Sequence, residues 1–407
     1  MRLIVFFTCL ISSSLVTAQN FTKIDSTFQS LIDGNKVPGG VAMVWKDGRI
    51  VHQKAYGWKN PDYTDEMKMD AIFRIASQTK LIVSVAALQL IEKNNISLDA
   101  PIEKWIPQFA GQKVAVKNGD SIQLNPLKKS ITLRHLLSHT SGISSVDEWP
   151  QYALLFKQYG LDKSLQMKYK TLEEEVLQIA RMPLVHEPGA RFSYGYSTDV
   201  LARWIEIVSG MKLSTYLDKF IFSPLNMEDT YFKLPPSKHN RLLPVSINEG
   251  SGKLVQMDTK VFPVDFPVND SISLESGAGG LVSTPNDYMK LLICLANDGI
   301  DNKGKSIISK RWIDSLSTGQ LSGATFITGG MKSPNTFGLG VGVTTEAGSR
   351  MTGATPGSFF WGGAFNTSYL VDRQKRIITL FMFQRAPFDL PSKLSMLERF
   401  AFQALSK

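Results

Sequence analysis

Two serines in the 407-residue chain stand three positions before a lysine, in Ser77-Gln78-Thr79-Lys80 and in Ser209-Gly210-Met211-Lys212. That spacing can pair a hydroxyl nucleophile with an amine that takes its proton. Three residues along a helix rise about 4.5 Å and keep both side chains on one face. The first copy opens an apolar helical run through Leu81, Ile82, Val85, Leu88 and Ile91, with no glycine or proline before Asn94-Asn95, so Lys80 can reach the Ser77 hydroxyl. A serine in a first helical turn also meets free backbone N–H groups and the positive end of the helix dipole, which suits a nucleophile whose attack creates an oxyanion. The structural alternative is a capping serine followed by a surface lysine. The second copy falls where an amphipathic helix stops at Gly210, so its serine and lysine need not share a face, and it is read as accidental.

Other templates fail. The chain has no Gly-x-Ser-x-Gly elbow and no His-Glu-x-x-His, and no phosphate-binding loop is read in it. His135 and His139 are four residues apart, but no third ligand follows and Ser138 to Gly142 looks like a helix end. Hydrogen-bonded structural histidines are the reading adopted for this pair, with no metal.

The elements that must position Ser77 and Lys80 follow from periodicity. Phe21, Ile24, Phe28, Leu31 and Ile32 recur at helical spacing and Gly34 closes that helix. Residues 41–45 and 50–55 form a hairpin through Lys46-Asp47-Gly48. At the other end, residues 359–361, 367–371 and 377–383 read as three strands, followed by a helix burying Leu394, Leu397, Phe400 and Leu405. Between them lie helical stretches at 82–91, 133–137, 172–179, 200–208 and 288–295, with loops at 145–160 and 235–267. The economical architecture is one α+β body built from 19–75 and 340–407, closed by both chain ends, with a mostly helical region at about 76–339 inserted between them.

Three segments carry a family resemblance: Phe73-Arg74-Ile75-Ala76-Ser77-Gln78-Thr79-Lys80, the Thr132-Leu133-Arg134-His135-Leu136-Leu137-Ser138-His139-Thr140-Ser141-Gly142-Ile143 run, and Gly277-Ala278-Gly279-Gly280-Leu281-Val282-Ser283-Thr284-Pro285. They resemble the serine β-lactamase-like superfamily, and the chain is most similar to its class C β-lactamase and family VIII esterase branch over residues 39–384. The resemblance implies a β-lactamase/transpeptidase-like fold, in which an antiparallel sheet is flanked by helices with an all-helical region beside it and the active site between. It also implies that Ser77 and Lys80 are catalytic.

The family's second motif, Tyr-x-Asn or Tyr-Ser-x, matches Tyr194, which Gly195 and Tyr196 follow. No Tyr-x-Asn occurs, so the asparagine that would contact an amide side chain is missing. Tyr196 occupies its position and is the rival of Tyr194, or a substrate contact. Either tyrosine could instead be a buried ring. The third motif, Lys-Thr-Gly in β-lactamases, aligns with Trp361-Gly362-Gly363-Ala364. There the cation helps hold a substrate carboxylate, whereas tryptophan offers an indole donor and an apolar face. The replacement argues for neutral, ester-like substrates. Gly362 and Gly363 would let substrate approach the strand closely, and by position the backbone N–H groups of Ser77 and Ala364 would form the oxyanion hole.

The chemistry expected is acyl transfer through an acyl-Ser77 intermediate, with Lys80 and Tyr194 as a coupled proton-handling pair. The substrate would be a small ester or amide, and the resting place of the shared proton stays open. Two alternatives remain: a β-lactamase or D-amino-acid-specific peptidase with the same machinery, and a non-catalytic descendant that binds cell-wall fragments or a protein. Ser246-Ile247-Asn248 formally matches a Ser-x-Asn element but falls after the tyrosine motif, within a Pro- and Gly-flanked loop, and is discounted.

Composition frames this. At 43% hydrophobic and 20% charged the chain can fill a large core, which excludes a disordered segment. Two cysteines exclude a disulfide scaffold and any multi-thiolate metal site. Residues 1–18 read as a secretory leader cleaved after Ala18, with an apolar run too short and interrupted to span a membrane, so the product is expected to be exported, periplasmic or extracellular, without a permanent anchor. Cys9 would leave with it, and Cys294 is read as a buried small hydrophobe. The net charge of +9 is spread among scattered lysines with no aromatic-interleaved basic stripe, so no nucleic-acid partner is expected. A solvated surface is the default reading of that charge, with association with anionic envelope surfaces as the one partner it hints at, and the reading needs no cofactor.

Overall fold

The computed structural model describes residues 19–119, 121–161, 167–250, 252–259, 264–321, 326–328 and 331–406. The leader expected at 1–18, with Cys9, lies outside the described residues. Helix α1 (Thr22–Asp33) buries Ile24, Phe28 and Leu31, spaced at four and three residues, and Gly34 donates its N–H to the Ser30 carbonyl at its end. Strands β1 (Gly39–Lys46) and β2 (Arg49–Gly57) pair antiparallel through a turn in which Asp47 and Gly48 take φ of 47° and 92°.

Five more strands complete the sheet: β3 (Thr336–Phe337), β4 (Gly342–Val343), β5 (Phe359–Gly363), β6 (Thr367–Asp372) and β7 (Ile377–Met382). Their order is β3-β4-β5-β6-β7-β1-β2, antiparallel throughout, so the two ends of the chain meet where β1 pairs with β7. Alternation along these strands sends side chains to two different cores. Ala42, Val44, Phe381 and Phe383 pack under α1 and the terminal helix α8 (Pro391–Leu405), where the Phe28 ring stacks on Tyr56 at 4.2 Å between centroids. Val41, Met43, Trp45, Leu380 and Met382 face the helical region.

That region is organised on α2 (Thr79–Lys93), which is buried at every position from Thr79 to Ile91 except Gln89. A helix apolar all round must be covered on all sides. Around it and behind the sheet stand α3 (Leu133–Leu137), α4 (Leu172–Arg181), α5 (Ser197–Ser209) and α6 (Pro285–Ala296), while α7 (Glu346–Thr352) packs against α8. Two expectations are corrected. In α8 the buried stripe runs through Leu394, Leu397, Glu398, Ala401 and Phe402, leaving Phe400 and Leu405 only partly covered, with Phe400 under the Lys23 and Arg399 cations. The two segments expected as loops carry short elements of their own, a helix at Ala153–Gln158 and a hairpin pairing Ser246–Asn248 with Leu254–Gln256. Both are too short for periodicity to reveal.

Candidate active site

The short strand Phe73–Arg74, paired with Val282–Ser283, leads into a sharp turn. Ala76 takes φ of 44°, in the left-handed region that a residue with a Cβ adopts only at a cost, and the 3-10 turn Ala76–Gln78 then runs into α2. Ser77 sits half-buried on this turn. It does not cap the helix, because Gln78 occupies the N-cap position and no side chain bonds there. Lys80, one turn on, donates from Nζ to the Ser77 Oγ at 3.4 Å and to the Ala278 carbonyl at 2.7 Å. The helix start is fixed from outside: Tyr288 donates its hydroxyl to the Gln78 carbonyl, and Thr79 Oγ1 accepts the Leu281 N–H.

Tyr194 arrives on a loop laid against the segment 139–145. Ser193 donates its N–H to the His139 carbonyl, Ser144 donates its hydroxyl to the Tyr194 carbonyl, and the Ser141 and Ser197 hydroxyls bond across to α5. The close approach explains Gly195, since a Cβ there would stand 2.4 Å from the Ser144 carbonyl carbon. The Lys80 ammonium lies 4.5 Å from the centroid of the Tyr194 ring. The Trp361 indole N–H donates to the Tyr194 hydroxyl oxygen at 3.2 Å.

Two features escape the sequence reading. His139, at φ 52°, is buried with its ring centroid 4.7 Å from that of Tyr194, and its Nδ1 has no hydrogen-bond partner among the described residues. Burial and the nearby Lys80 charge hold its pKa well below the usual histidine value, so it is neutral beside the lysine. His135 does match the hydrogen-bonded role, accepting the Thr132 N–H on Nδ1 in a capping box at the start of α3. The second feature is Asp199, buried in the first turn of α5, which accepts from the Ser276 hydroxyl at 2.9 Å and the Ala278 N–H at 3.0 Å. It pins the residue whose carbonyl takes Lys80. Burial raises its pKa against these bonds and against Lys80, and burial together with Asp199 raises that of Glu175. An acid directly before the apolar Val200-Leu201-Ala202 run was the signal available.

Strand β5 brings the remaining residues. A Cβ at Gly363 would lie 2.4 Å from the Ile75 carbonyl oxygen, so only glycine lets this strand close on the serine turn. A cavity of about 610 Å³ opens there, and Ser77, Lys80, Tyr194, Trp361, Gly362, Gly363 and Ala364 all line it. Tyr196 does not. It is 2% exposed among the core side chains of the helical region, which corrects its expected place as a substrate contact. Its position immediately before α5 turns it inward while Tyr194 faces the cavity.

Three other motifs stay outside. Ser209 ends α5 and accepts the Met211 N–H, and Ser246 lies in the short hairpin with its hydroxyl on the Gln384 carbonyl. The segment Gly299-Ile300-Asp301-Asn302-Lys303-Gly304-Lys305-Ser306 does have the Gly-x4-Gly-Lys-Ser spacing of a phosphate loop, contrary to the reading that the chain has none. It is a tight turn after α6 rather than a strand-to-helix loop, and the Asp301 carboxylate already accepts the Lys303 and Lys305 N–H groups. The Cys294 thiol is buried and pushed up to about 12.

The site thus joins a serine, a lysine in reach of it, a tyrosine beside that lysine, and an indole donor on the tyrosine. Such a set can carry an acyl group on the serine and move protons on and off it. Comparison with known proteins agrees with this chemistry. The Beta-lactamase family model matches residues 24–398. Esterase EstB of Burkholderia gladioli is 26% identical over 416 residues, covering 96% of this chain and 97% of its own. Monacolin J acid methylbutanoyltransferase of Aspergillus terreus is 27% identical over 391 residues, 90% of this chain and 91% of the enzyme. Among solved structures, EstCE1, a hydrolase with promiscuous acyltransferase activity, superposes with a TM-score of 0.78 at 22% identity over 94% and 98% of the two chains, a likeness of fold. The LovD6 mutant of simvastatin synthase from Aspergillus terreus gives 0.77 at 26% identity over 97% and 98%.

Proposed function

The chain belongs to the Beta-lactamase family and is a serine hydrolase of that fold, an ester hydrolase or acyltransferase, and on that premise we propose that it acts on small or apolar neutral esters through an acyl-Ser77 intermediate. In this mechanism the Ser77 proton passes to the Lys80–Tyr194 pair as Oγ attacks the ester carbonyl. The oxyanion is held by the Ser77 and Ala364 backbone N–H groups, and the departing alcohol takes its proton from the pair. Water then releases the acid, or a second alcohol accepts the acyl group.

The observation that carries the ester reading is Trp361. At the position where the family's β-lactamases hold a substrate carboxylate with a cation, this chain has an indole whose one donor is turned to Tyr194. No charged group is offered from that position to a carboxylate, and Trp361 and Phe326 present apolar faces to the cavity.

The test has two parts. Fluorophosphonate treatment followed by peptide mass spectrometry is expected to label Ser77; a label elsewhere, or none, defeats the acyl-serine mechanism. Turnover of a short-chain p-nitrophenyl ester is expected to exceed that of a chromogenic cephalosporin, and strong cephalosporin turnover without ester turnover would establish the β-lactamase or peptidase reading instead. We propose further that the protein is exported after cleavage behind Ala18, for which a mature N-terminus at Gln19 in an envelope or culture fraction is the expected result. Among the described residues no helix is long and apolar enough to cross a membrane.

A further inference from the structure

We propose that the active-site cavity continues behind strand β5 into a second chamber, which receives an apolar arm of the ester ending in a neutral hydroxyl or carbonyl group held by Glu398 and Ser368. This rests on the ester reading above and names the substrate class more closely.

The cavity is lined from both faces of one strand. Trp361 and Gly363 point to the serine side of β5, while Phe360 and Gly362 point to the side covered by α8, and all four line it. It can turn the corner because β4 pairs with β5 only at Phe359 and Phe360, leaving Trp361 to Gly363 as a free edge on that side among the described residues. Behind the edge the walls come from other elements: Met351 and Thr352 of α7, Leu394 and Ser395 of α8, and Leu370 of β6. Gly362 stands directly opposite Ser368 in the sheet register and carries no side chain to divide the two parts.

Two buried polar groups, Glu398 and Ser368, are part of this lining. Glu398 is 8% exposed within the buried stripe of α8 and has no ion pair among the described residues. Ser368 is 6% exposed, and its hydroxyl, although it approaches Glu398, has no hydrogen bond of normal geometry to any described group. A buried carboxyl and a buried hydroxyl that have at most each other as partner among the described residues leave hydrogen-bonding capacity unused, and a ligand group beside them would take it up. Burial pushes the Glu398 pKa up to about 8, against the Ser368 hydroxyl, which lowers it. Near neutral pH the acid is therefore mostly protonated and can both donate and accept, as a hydroxyl or carbonyl requires.

Two ester series test this, each scored as the ratio of kcat/KM for the long ester to that for the short one, so that loss of folded enzyme cancels. One varies the acyl arm as p-nitrophenyl acetate, octanoate, 8-hydroxyoctanoate and 8-aminooctanoate. The other varies the alcohol arm as the ethyl, octyl and 8-hydroxyoctyl acetates. In one series the wild type is expected to favour the eight-carbon arm by about tenfold or more, and to gain further from the terminal hydroxyl. Ser395→Phe, which fills the chamber, is expected to abolish the length preference. Glu398→Leu is expected to keep the length preference and abolish the hydroxyl gain. A flat length dependence in both series, or one untouched by Ser395→Phe, overturns the chamber while Ser77-dependent acetate turnover leaves the ester reading standing. A preference for the terminal ammonium overturns the neutral group. Absence of Ser77-dependent turnover of every ester defeats the ester reading itself.

Discussion

Replacing Trp361 by phenylalanine probes the hydrogen bond from its indole N–H to the Tyr194 hydroxyl oxygen. The change keeps an aromatic face beside Tyr194, whose ring centroid lies 5.5 Å from that of Trp361, but removes the N–H that reaches the phenol oxygen at 3.2 Å. If that oxygen carries negative charge while the serine proton is in transit, the bond strengthens there, because a hydrogen bond to a charged group contributes about 1.5–3 kcal/mol and one to a neutral group about 1 kcal/mol. The bond is already made in the free enzyme, so only its strengthening, about 0.5–2 kcal/mol, is lost from the transition state; at about 1.4 kcal/mol per tenfold, Trp361→Phe is expected to lower kcat/KM on p-nitrophenyl acetate by a few-fold to about 30-fold. The loss should fall on acylation, seen as a slower pre-steady-state burst. Tyr194→Phe measured alongside sets the ceiling. Trp361→Phe within about twofold of wild type, with Tyr194→Phe severely impaired, would show that the indole serves packing alone and that the phenol oxygen bears no charge in the rate-limiting step.

Three other outcomes follow from particular contacts. Because the Glu398 pKa is raised from 4.5 to about 8 on folding, the folded protein keeps a proton that the unfolded chain releases, so stability falls as pH rises across that interval, by at most about 1.4 kcal/mol per pH unit. Glu398→Gln should remove this dependence, and its Tm advantage over wild type should grow from pH 5 to pH 8; a constant difference would contradict the burial argument. Asp199→Ala, which leaves the Ala278 N–H and the Ser276 hydroxyl unpaired, is expected to cut kcat/KM by about 10–100-fold. Asp199→Asn, which keeps an acceptor, should recover most of that activity, and a fall in Tm with kcat/KM unchanged in both variants would deny Asp199 its hold on the Lys80 carbonyl partner. Phe28→Ala removes a fully buried ring between Tyr56 and Phe383 and should cost about 3–5 kcal/mol by urea titration, and a cost below about 1 kcal/mol would mean that α1 is not integral to the sheet's outer core.

What could be read before folding divides by sequence distance. Ser77 lies on the 3-10 turn that runs straight into α2 and Lys80 in the first turn of α2, three residues on, so local helical winding brings their side chains together, and local sequence likewise sets the α1 stripe and the β1–β2 turn. Glu398 and Ser368 meet only because α8 lies across β6, and Asp199 reaches Ala278 from 79 residues away. Tyr194 and Tyr196 show the limit most sharply. They are two residues apart, and the chain must complete the turn into α5 before one ring enters the cavity and the other the core.

Trp361 is the harder case, because its residue type was legible and its contact was not. As a replacement for a lysine it suggests a change in what the substrate must carry. Its bond to Tyr194 spans 167 residues and adds a second consequence. A lysine at this place would set a second cation near the tyrosine, whereas the indole leaves Lys80 as the cation over the ring and supplies a neutral donor to the oxygen. On the proposed mechanism, substrate choice and proton handling are joined in one side chain. Restoring the cation with Trp361→Lys should shift the pH profile of ester hydrolysis as well as the preference for carboxylate-bearing substrates, and a change in one without the other would separate the two roles.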